Sequence, residues 1–237
     1  MYSNLSYYEA KNYTSLTDKA YDILEEAIVT MELAPGQLYS ERYLSEFTGI
    51  GRSPVREALK RLEPTHIIES IPRSGITISL IRLEECYLQM EVRSMLEKLV
   101  CVRAAKFSTP NERSHFRHLA DAYEEATQRD NALEAIRIDN EFNIFVSDCS
   151  RNIFAKTALM PLHTLARRLY FMQYYFDQTL TKKINASHCE LMRAIAEGKN
   201  KDTLIKMDEL IQNIKMLTVS TMDTSALGLD FSRNYDI

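Results

Sequence analysis

Hydrophobic residues recur at helical spacing along most of the chain, and breaks in that pattern mark where elements end. Between Leu16 and Met31 they fall at Ala20, Leu24, Ala27 and Ile28, one stripe of a first helix. Ser40 stands as a cap ahead of a short helix, Glu41–Phe47, and Gly49-Ile50-Gly51 supplies the next turn. Ser53-Pro54 then opens a helix with proline at its first position, Val55–Leu62, whose apolar face is Val55, Ala58, Leu59 and Leu62. Pro64 stops it. Two β-prone runs follow, His66–Ile71 and Gly75–Leu80, joined by Pro72-Arg73-Ser74 as a hairpin tip. Beyond Leu83 the pattern is helical throughout. It predicts helices over Leu83–Phe107, from Pro110 to Arg129, over Asn131–Asp148, from Asn152 onward with a bend at Pro161, and over Asn185–Glu197 and Asp202–Leu217. The first of these carries Leu88, Val92, Leu96, Leu99 and Val102 along its faces.

Glycine and proline sharpen the division. Four of the six glycines (Gly36, Gly49, Gly51, Gly75) and four of the six prolines lie between Pro35 and Gly75, and no glycine occurs from Ile76 to Glu197. A turn-rich module and a long helical one are implied. The fold class is mainly α: a winged helix-turn-helix with a small β-ribbon at 16–80, then an all-α bundle of about six helices at 83–218. Residues 1–15 and 219–237 read as tails.

Composition narrows the function. With 237 residues and 45% hydrophobic content the chain can bury a core, which excludes a disordered regulator or a disulfide scaffold. Its apolar stretches are shorter than the roughly 18–20 residues a membrane span requires. The polar, tyrosine-rich start MYSNLSYYEAKNYTS lacks a signal peptide's apolar centre, so a cytoplasmic protein is expected. Cys86, Cys101, Cys149 and Cys189 are widely spaced and read as free thiols of a reducing compartment. Net charge is −4, so any affinity for nucleic acid must come from a local patch.

RSPVREALKR supplies such a patch. Arg52, Arg56, Lys60 and Arg61 stand against Glu57 alone, although residues 16–80 as a whole carry seven Lys/Arg and ten Asp/Glu. Arg52 and Arg56 are four apart and share the face opposite the apolar stripe. A helix-turn-helix places this helix in the major groove, where arginine bonds guanine O6 and N7 or clamps phosphate. Arg42 on the preceding helix and Arg73 at the wing tip extend the positive surface. A solvated helix paired with local glutamates is the alternative. The proline-opened helix after a glycine turn, the ribbon behind it and the segregation of arginine from the apolar stripe favour DNA.

The stretch APGQLYSERYLSEFTGIGRSPVREALKRLEPTHIIESIPRSGITIS closely resembles the DNA-binding domain of GntR-family transcriptional regulators. The resemblance implies that Arg42, Arg52, Ser53 and Arg56 meet bases and phosphates, and that the wing from Arg73 to Gly75 enters the minor groove. One departure is visible: Pro64-Thr65-His66 stands where the family closes this helix with an acidic residue, a small linker and glycine.

The second half resembles the all-helical effector domain of the fatty-acid-response (FCD-type) subgroup of that family. The supporting segments are MEVRSMLEKLVCVRAA, DNEFN at 139–143, SRN at 150–152 and SHCELMRAIAEGK at 187–199. In that subgroup the bundle often holds a divalent metal through one Asp and three His. Asp139 stands at the Asp position and His188 at the middle His, but Asn143 replaces the first His and Leu210 the last. An amide is a poor d-block donor and leucine is none, so no metal cofactor is expected and Asp139 and His188 are remnants. Each reads either as an internally hydrogen-bonded core residue or, with Asn143, as part of an effector pocket. Arg93 reads as the partner of Glu97 four residues on along its helix, and the resemblance gives it an effector carboxylate to meet; the two readings are compatible. Tyr170, Phe171, Tyr174, Tyr175 and Phe176 read as core, interface or cavity wall, and Arg167 and Arg168 as surface.

The resulting expectation is a non-enzymatic, homodimeric regulator that binds an inverted-repeat operator in double-stranded DNA and responds to a small-molecule, carboxylate effector. The alternatives are a DNA-binding dimer whose helical domain only oligomerises and, more remotely, a metal-dependent enzyme using Asp139 and His188.

Overall fold

The computed structural model describes residues 5–174 and 177–226. They divide into two units, the first built from the chain up to Ile81 with Thr164–Leu169, the second from Arg82–His163 and from Tyr170 onward.

The first unit comprises α1 (Leu5–Ala10), α2 (Leu16–Val29), β1 (Leu38–Tyr39), α3 (Glu41–Thr48), α4 (Arg52–Leu62), β2 (Ile68–Ile71) and β3 (Gly75–Ile78). Local chemistry sets the boundaries. Ser15 and Ser40 each accept a backbone N–H at 3.1 Å, from Asp18 and Tyr43, and so start α2 and α3. Gly49 closes α3 at φ +67°, and Gly51 precedes α4 in extended conformation. Because α4 begins at Arg52, Pro54 is its third residue rather than its first; the missing N–H is still harmless, since first-turn amides have no intrahelical acceptor. The substituted end of α4 keeps its backbone shape. Glu63–Thr65 form one 3₁₀ turn and His66 takes φ +60°, the left-handed position in which glycine would be unstrained. The strand expected from His66 therefore starts only at Ile68. The sheet order is β1-β3-β2, antiparallel, with Tyr39 opposite Ile76 and Ile68 opposite Ile78. Leu24, Ile28, Leu44, Val55, Leu59, Leu62, Ile67 and Ile78 form its core.

Arg167 and Arg168, expected on the surface, are buried in this unit. Arg167 Nη2 lies 2.8 Å from Glu25 Oε1, and Arg168 Nη2 donates to the Ser79 carbonyl at 2.5 Å. Buried guanidinium groups persist only with such partners.

The helices of the rest of the chain are α5 (Leu83–Phe107), α6 (Pro110–Gln128), α7 (Ala132–Cys149), α8 (Ile153–Gln173), α9 (Gln178–Glu197) and α10 (Asn200–Ala226). A capping box starts α6: the Thr109 amide donates to Glu112 Oε2 at 2.8 Å and the Glu112 amide to Thr109 Oγ1 at 3.3 Å. Asp177 caps α9 through the Leu180 amide at 2.9 Å, so α9 begins seven residues ahead of the expected Asn185. Similarly, α10 continues beyond Leu217 into the segment expected as tail. Phe116, Leu119, Tyr123, Phe142, Leu159, Ile184, Met192 and Leu210 lie in the core. Tyr174 is buried, while Tyr175 and Phe176 fall outside the described residues.

On α5 the buried residues include Met90, Arg93, Glu97, Val100, Cys101 and Ala104, whereas Leu88, Val92, Met95 and Leu99 are 62%, 55%, 75% and 44% exposed. At about 100° per residue these are opposite faces, so a stripe of large apolar side chains looks outward. At the end of α9, Gly198 takes φ +71° and the Arg113 guanidinium fills the space beside it, donating to the Ala105, Ile195 and Ala196 carbonyls at 2.7, 3.3 and 3.2 Å.

Candidate functional site

The candidate basic residues of the first unit lie on the solvent side of α3, α4 and the wing. Arg42, Arg52, Ser53 and Arg56 are exposed on α3 and α4, while Val55, Ala58, Leu59 and Leu62 anchor α4 from behind. Arg42 Nε bonds Glu46 at 2.9 Å, Lys60 bonds Glu57 at 2.8 Å, and Arg61 bonds Asp18 at 2.7 Å while lying over the Tyr21 ring. Arg56 makes the stronger contact: Nε and Nη2 meet Glu41 Oε2 at 3.1 and 2.6 Å, across from α4 to α3. The wing turns tightly. Arg73 takes φ +66° at the tip, and Gly75 sits at φ +140° with no room for a Cβ, which would meet the Tyr39 carbonyl oxygen at 2.4 Å.

In the second unit a polar cluster interrupts the apolar core. Asp139 and Asn143, one turn apart on α7, share a hydrogen bond, Asn143 Nδ2 donating to Asp139 Oδ2 at 2.9 Å. The other oxygen of Asp139 faces His188 Nε2 on α9 at 3.3 Å. His188 Nδ1 lies 3.1 Å from the Ile184 carbonyl, which can only accept, so Nδ1 carries a proton. The Tyr123 ring stacks on the imidazole, with centroids 5.3 Å apart. On α5, Arg93 Nε meets Glu97 Oε1 at 3.1 Å, and His163 Nε2 of α8 meets the same oxygen at 3.1 Å. Burial alone would raise the Glu97 carboxyl, but the Arg93 charge and the bond and charge of His163 outweigh it and leave it below the usual glutamate range. Asp139 is close enough to oppose that shift, so the two polar groups act on one another. Burial and nearby Tyr170 and Asp139 push the Tyr123 phenol well up, keeping it a neutral hydrogen-bonding group.

Arg93 thus sits with Glu97 and His163, and Asp139 with Asn143 and His188, as two polar groups of the helical unit linked by the Asp139 charge felt at Glu97. His163 was not anticipated from the sequence, where an isolated histidine on an apolar helix carries no pattern. Nor were Asn185, which receives the Tyr170 hydroxyl and donates to Thr127 Oγ1 at 3.0 Å, and Asn213, which donates to Ser187 Oγ at 2.9 Å.

The donor set does not fit the metal ion of the resembled subgroup. Asn143 turns its N–H toward Asp139 rather than offering a lone pair, and Leu210 is buried among Met207, Ile211 and their neighbours. Glu209 pairs with Lys206 at 2.9 Å, and Glu141 with His115 at 3.0 Å. Among the described residues no three His, Cys, Asp or Glu side chains are grouped to hold an ion.

Comparison with known proteins gives these two units a family. Residues 16–78 match the model of bacterial regulatory proteins of the gntR family, and residues 89–213 match that of the FCD domain. The chain is a GntR-family transcriptional regulator of the FCD type. Its N-terminal domain is the family's DNA-binding helix-turn-helix and its FCD domain the effector-binding part. The regulator is 24% identical to the HTH-type transcriptional regulator YdhC of Bacillus subtilis, over 77% of this chain and 81% of that one. It is 23% identical to the HTH-type transcriptional repressor RspR of Escherichia coli, over 67% and 70%. Its fold is that of E. coli McbR/YncC, with a TM-score of 0.75 at 19% identity over 88% of this chain and all of that one. A GntR regulator from Rhodococcus has a TM-score of 0.66 at 18% identity over 87% and 99%. Among the described residues, no helix of the regulator is long and apolar enough to cross a membrane.

Proposed function

We propose that this regulator binds an inverted-repeat operator as a cytoplasmic homodimer, and that a carboxylate effector in the FCD domain changes its DNA affinity without a resident metal and without catalysis. The working division is 16–80 for DNA and 83–218 for effector and dimerisation. Arg42, Arg52, Ser53, Arg56, Arg73 and Gly75 contact the operator; Arg93, Asp139, Asn143 and His188 contact the effector.

The observation that carries the effector reading is Arg93, a guanidinium with a tenth of its side chain exposed, next to a single acid on its own helix. A fork of donors in a low-dielectric site is the group that recognises a carboxylate bidentately. Dimerisation rests on the outward stripe of α5. Two copies of α5 crossed antiparallel bring Leu88 against Leu99 and Val92 against Met95, and the same register sets Glu84 against Arg103. Such self-complementarity is what a two-fold interface requires. Two half-sites then multiply the affinity of a winged helix whose own charge is not basic.

The decisive experiment is a gel-shift titration of the full chain on genomic or selected duplexes, with and without small acids. Operator affinity that moves with a saturating carboxylate in the wild type but not in Arg93→Ala supports the reading. A purely oligomerising helical domain is the second reading, favoured by the mutual pairing of Arg93 with Glu97 and of Asp139 with Asn143 and His188. Operator binding indifferent to every acid tested supports that one.

A further inference from the structure

We propose that Glu41 determines the sequence specificity of α4 by holding the Arg56 guanidinium edge-on toward the DNA. The inference rests on the placement of α4 in the major groove with Arg56 as a base reader.

Glu41 is the first residue of α3, and Arg56 lies a full turn into α4. The carboxylate takes the side edge of the guanidinium: Nε donates to Oε1 and Oε2 at 3.2 and 3.1 Å, and Nη2 donates to Oε2 at 2.6 Å. Arginine has five N–H donors in one plane, so a side-on partner leaves the end edge, Nη1–H and the outer Nη2–H, to another acceptor pair. Those two donors match O6 and N7 of guanine. Glu41 therefore acts as a positioning residue. It removes the rotational freedom of a long exposed side chain and presents only the edge that reads a base.

The same carboxylate changes what Arg56 prefers. An isolated guanidinium is drawn to any phosphate, whereas one neutralised by a bidentate partner retains directional donors and loses much of its net attraction. Glu41 also feels the charges of Arg52 and Lys60, so it lies inside the basic patch. Its hydrogen bond from Arg56 holds the carboxyl below the ordinary glutamate range, so it stays ionised at neutral pH. Asp18 on α2 likewise holds a guanidinium across elements, but that of Arg61, which is not among the residues proposed to meet the operator. Glu46 and Glu57 bond Arg42 and Lys60 along one helix, at exposed i,i+4 and i,i+3 pairs that orient nothing across elements.

The test uses the full chain and a duplex chosen by in vitro selection from a random library. Each G·C pair of that duplex is replaced in turn, and a scrambled duplex of equal length measures non-specific binding. In the wild type, one G·C position per half-site should cost on the order of 10- to 100-fold when replaced. In Glu41→Gln that penalty should shrink to about threefold or less, while affinity for the scrambled duplex rises and its salt dependence steepens. Arg56→Lys, which keeps the charge but has no fork to hold, should lose the same position. Thermal melts of each variant report folding independently. The proposal is overturned if Glu41→Gln keeps the wild-type penalty at every position, or if it strengthens selected and scrambled duplexes by the same factor. If instead Arg56→Ala and Arg56→Lys leave every base position unaffected, the groove assignment of Arg56 fails, whatever Glu41 does.

Discussion

The Arg93 guanidinium reaches Glu97 Oε1 at 3.1 Å, one helical turn away, and both side chains are about nine-tenths buried. On the proposed effector role of Arg93, an incoming carboxylate would compete with a carboxylate already there. Removing that competitor should therefore strengthen binding of acids, and removing the arginine should abolish it. We predict that succinate and citrate, used as probes in thermal melts, shift wild-type Tm saturably and shift Glu97→Gln at lower concentration. Arg93→Ala should not respond, since a ligand stabilises only by binding the native state. An unchanged response in Arg93→Ala would remove Arg93 from the effector site.

The Glu97 carboxyl is held below its usual 4.5 by Arg93 and His163 against the opposing effect of burial. A carboxyl depressed in the folded state adds stability above its unfolded pKa and loses it as pH falls through the folded one. Wild-type Tm should accordingly fall on acidification from about pH 5 to pH 3. Glu97→Gln should start lower at neutral pH, because it leaves Arg93 buried without its ion partner, and should fall less steeply over that interval. Parallel acid limbs in the two proteins would show that Glu97 contributes no linkage.

Metal should add little. Adding zinc or nickel to chelator-treated protein should leave Tm nearly unchanged, because Asn143 donates to Asp139 and Leu210 is a core residue. A saturable shift at micromolar metal that disappears in His188→Ala would establish a site with different ligands.

For the dimer, light scattering on the full chain should return twice the chain mass at micromolar concentration. Met95→Glu puts a charge at the centre of the α5 stripe and should return one chain mass while far-UV dichroism stays helical. A wild-type monomer would leave assembly on DNA as the remaining route to two half-sites.

How much of this was legible beforehand depended on the range of the signal. Around α4 the markers are local: Gly49 and Gly51 before it, Pro64 after it, and Pro72-Arg73-Ser74 at the wing tip all act on their own backbone. The two-residue β1 is too short to show a period, and α1 is only six residues long. On α5 periodicity misleads, because both faces carry apolar residues and the inward one contains Arg93 and Glu97. The burial of Arg167 could not be inferred from its neighbours, since its acid partner is Glu25, far upstream. Within the polar cluster, the i,i+4 spacing exposed Arg93 with Glu97, and family resemblance exposed Asp139, Asn143 and His188. His163 belongs there only through a tertiary contact.

The Arg113 side chain ties together carbonyls from the ends of two helices and occupies the volume a Cβ on residue 198 would need, with Nη1 2.3 Å from that position. Residues 113 and 198 are consequently one unit of variation. A side chain at 198 would displace the guanidinium from those carbonyls and would itself be strained at φ +71°. Gly198 restored without the arginine leaves a hole. In a deep set of such sequences, the rare side chains at 198 should be found where 113 is no longer arginine.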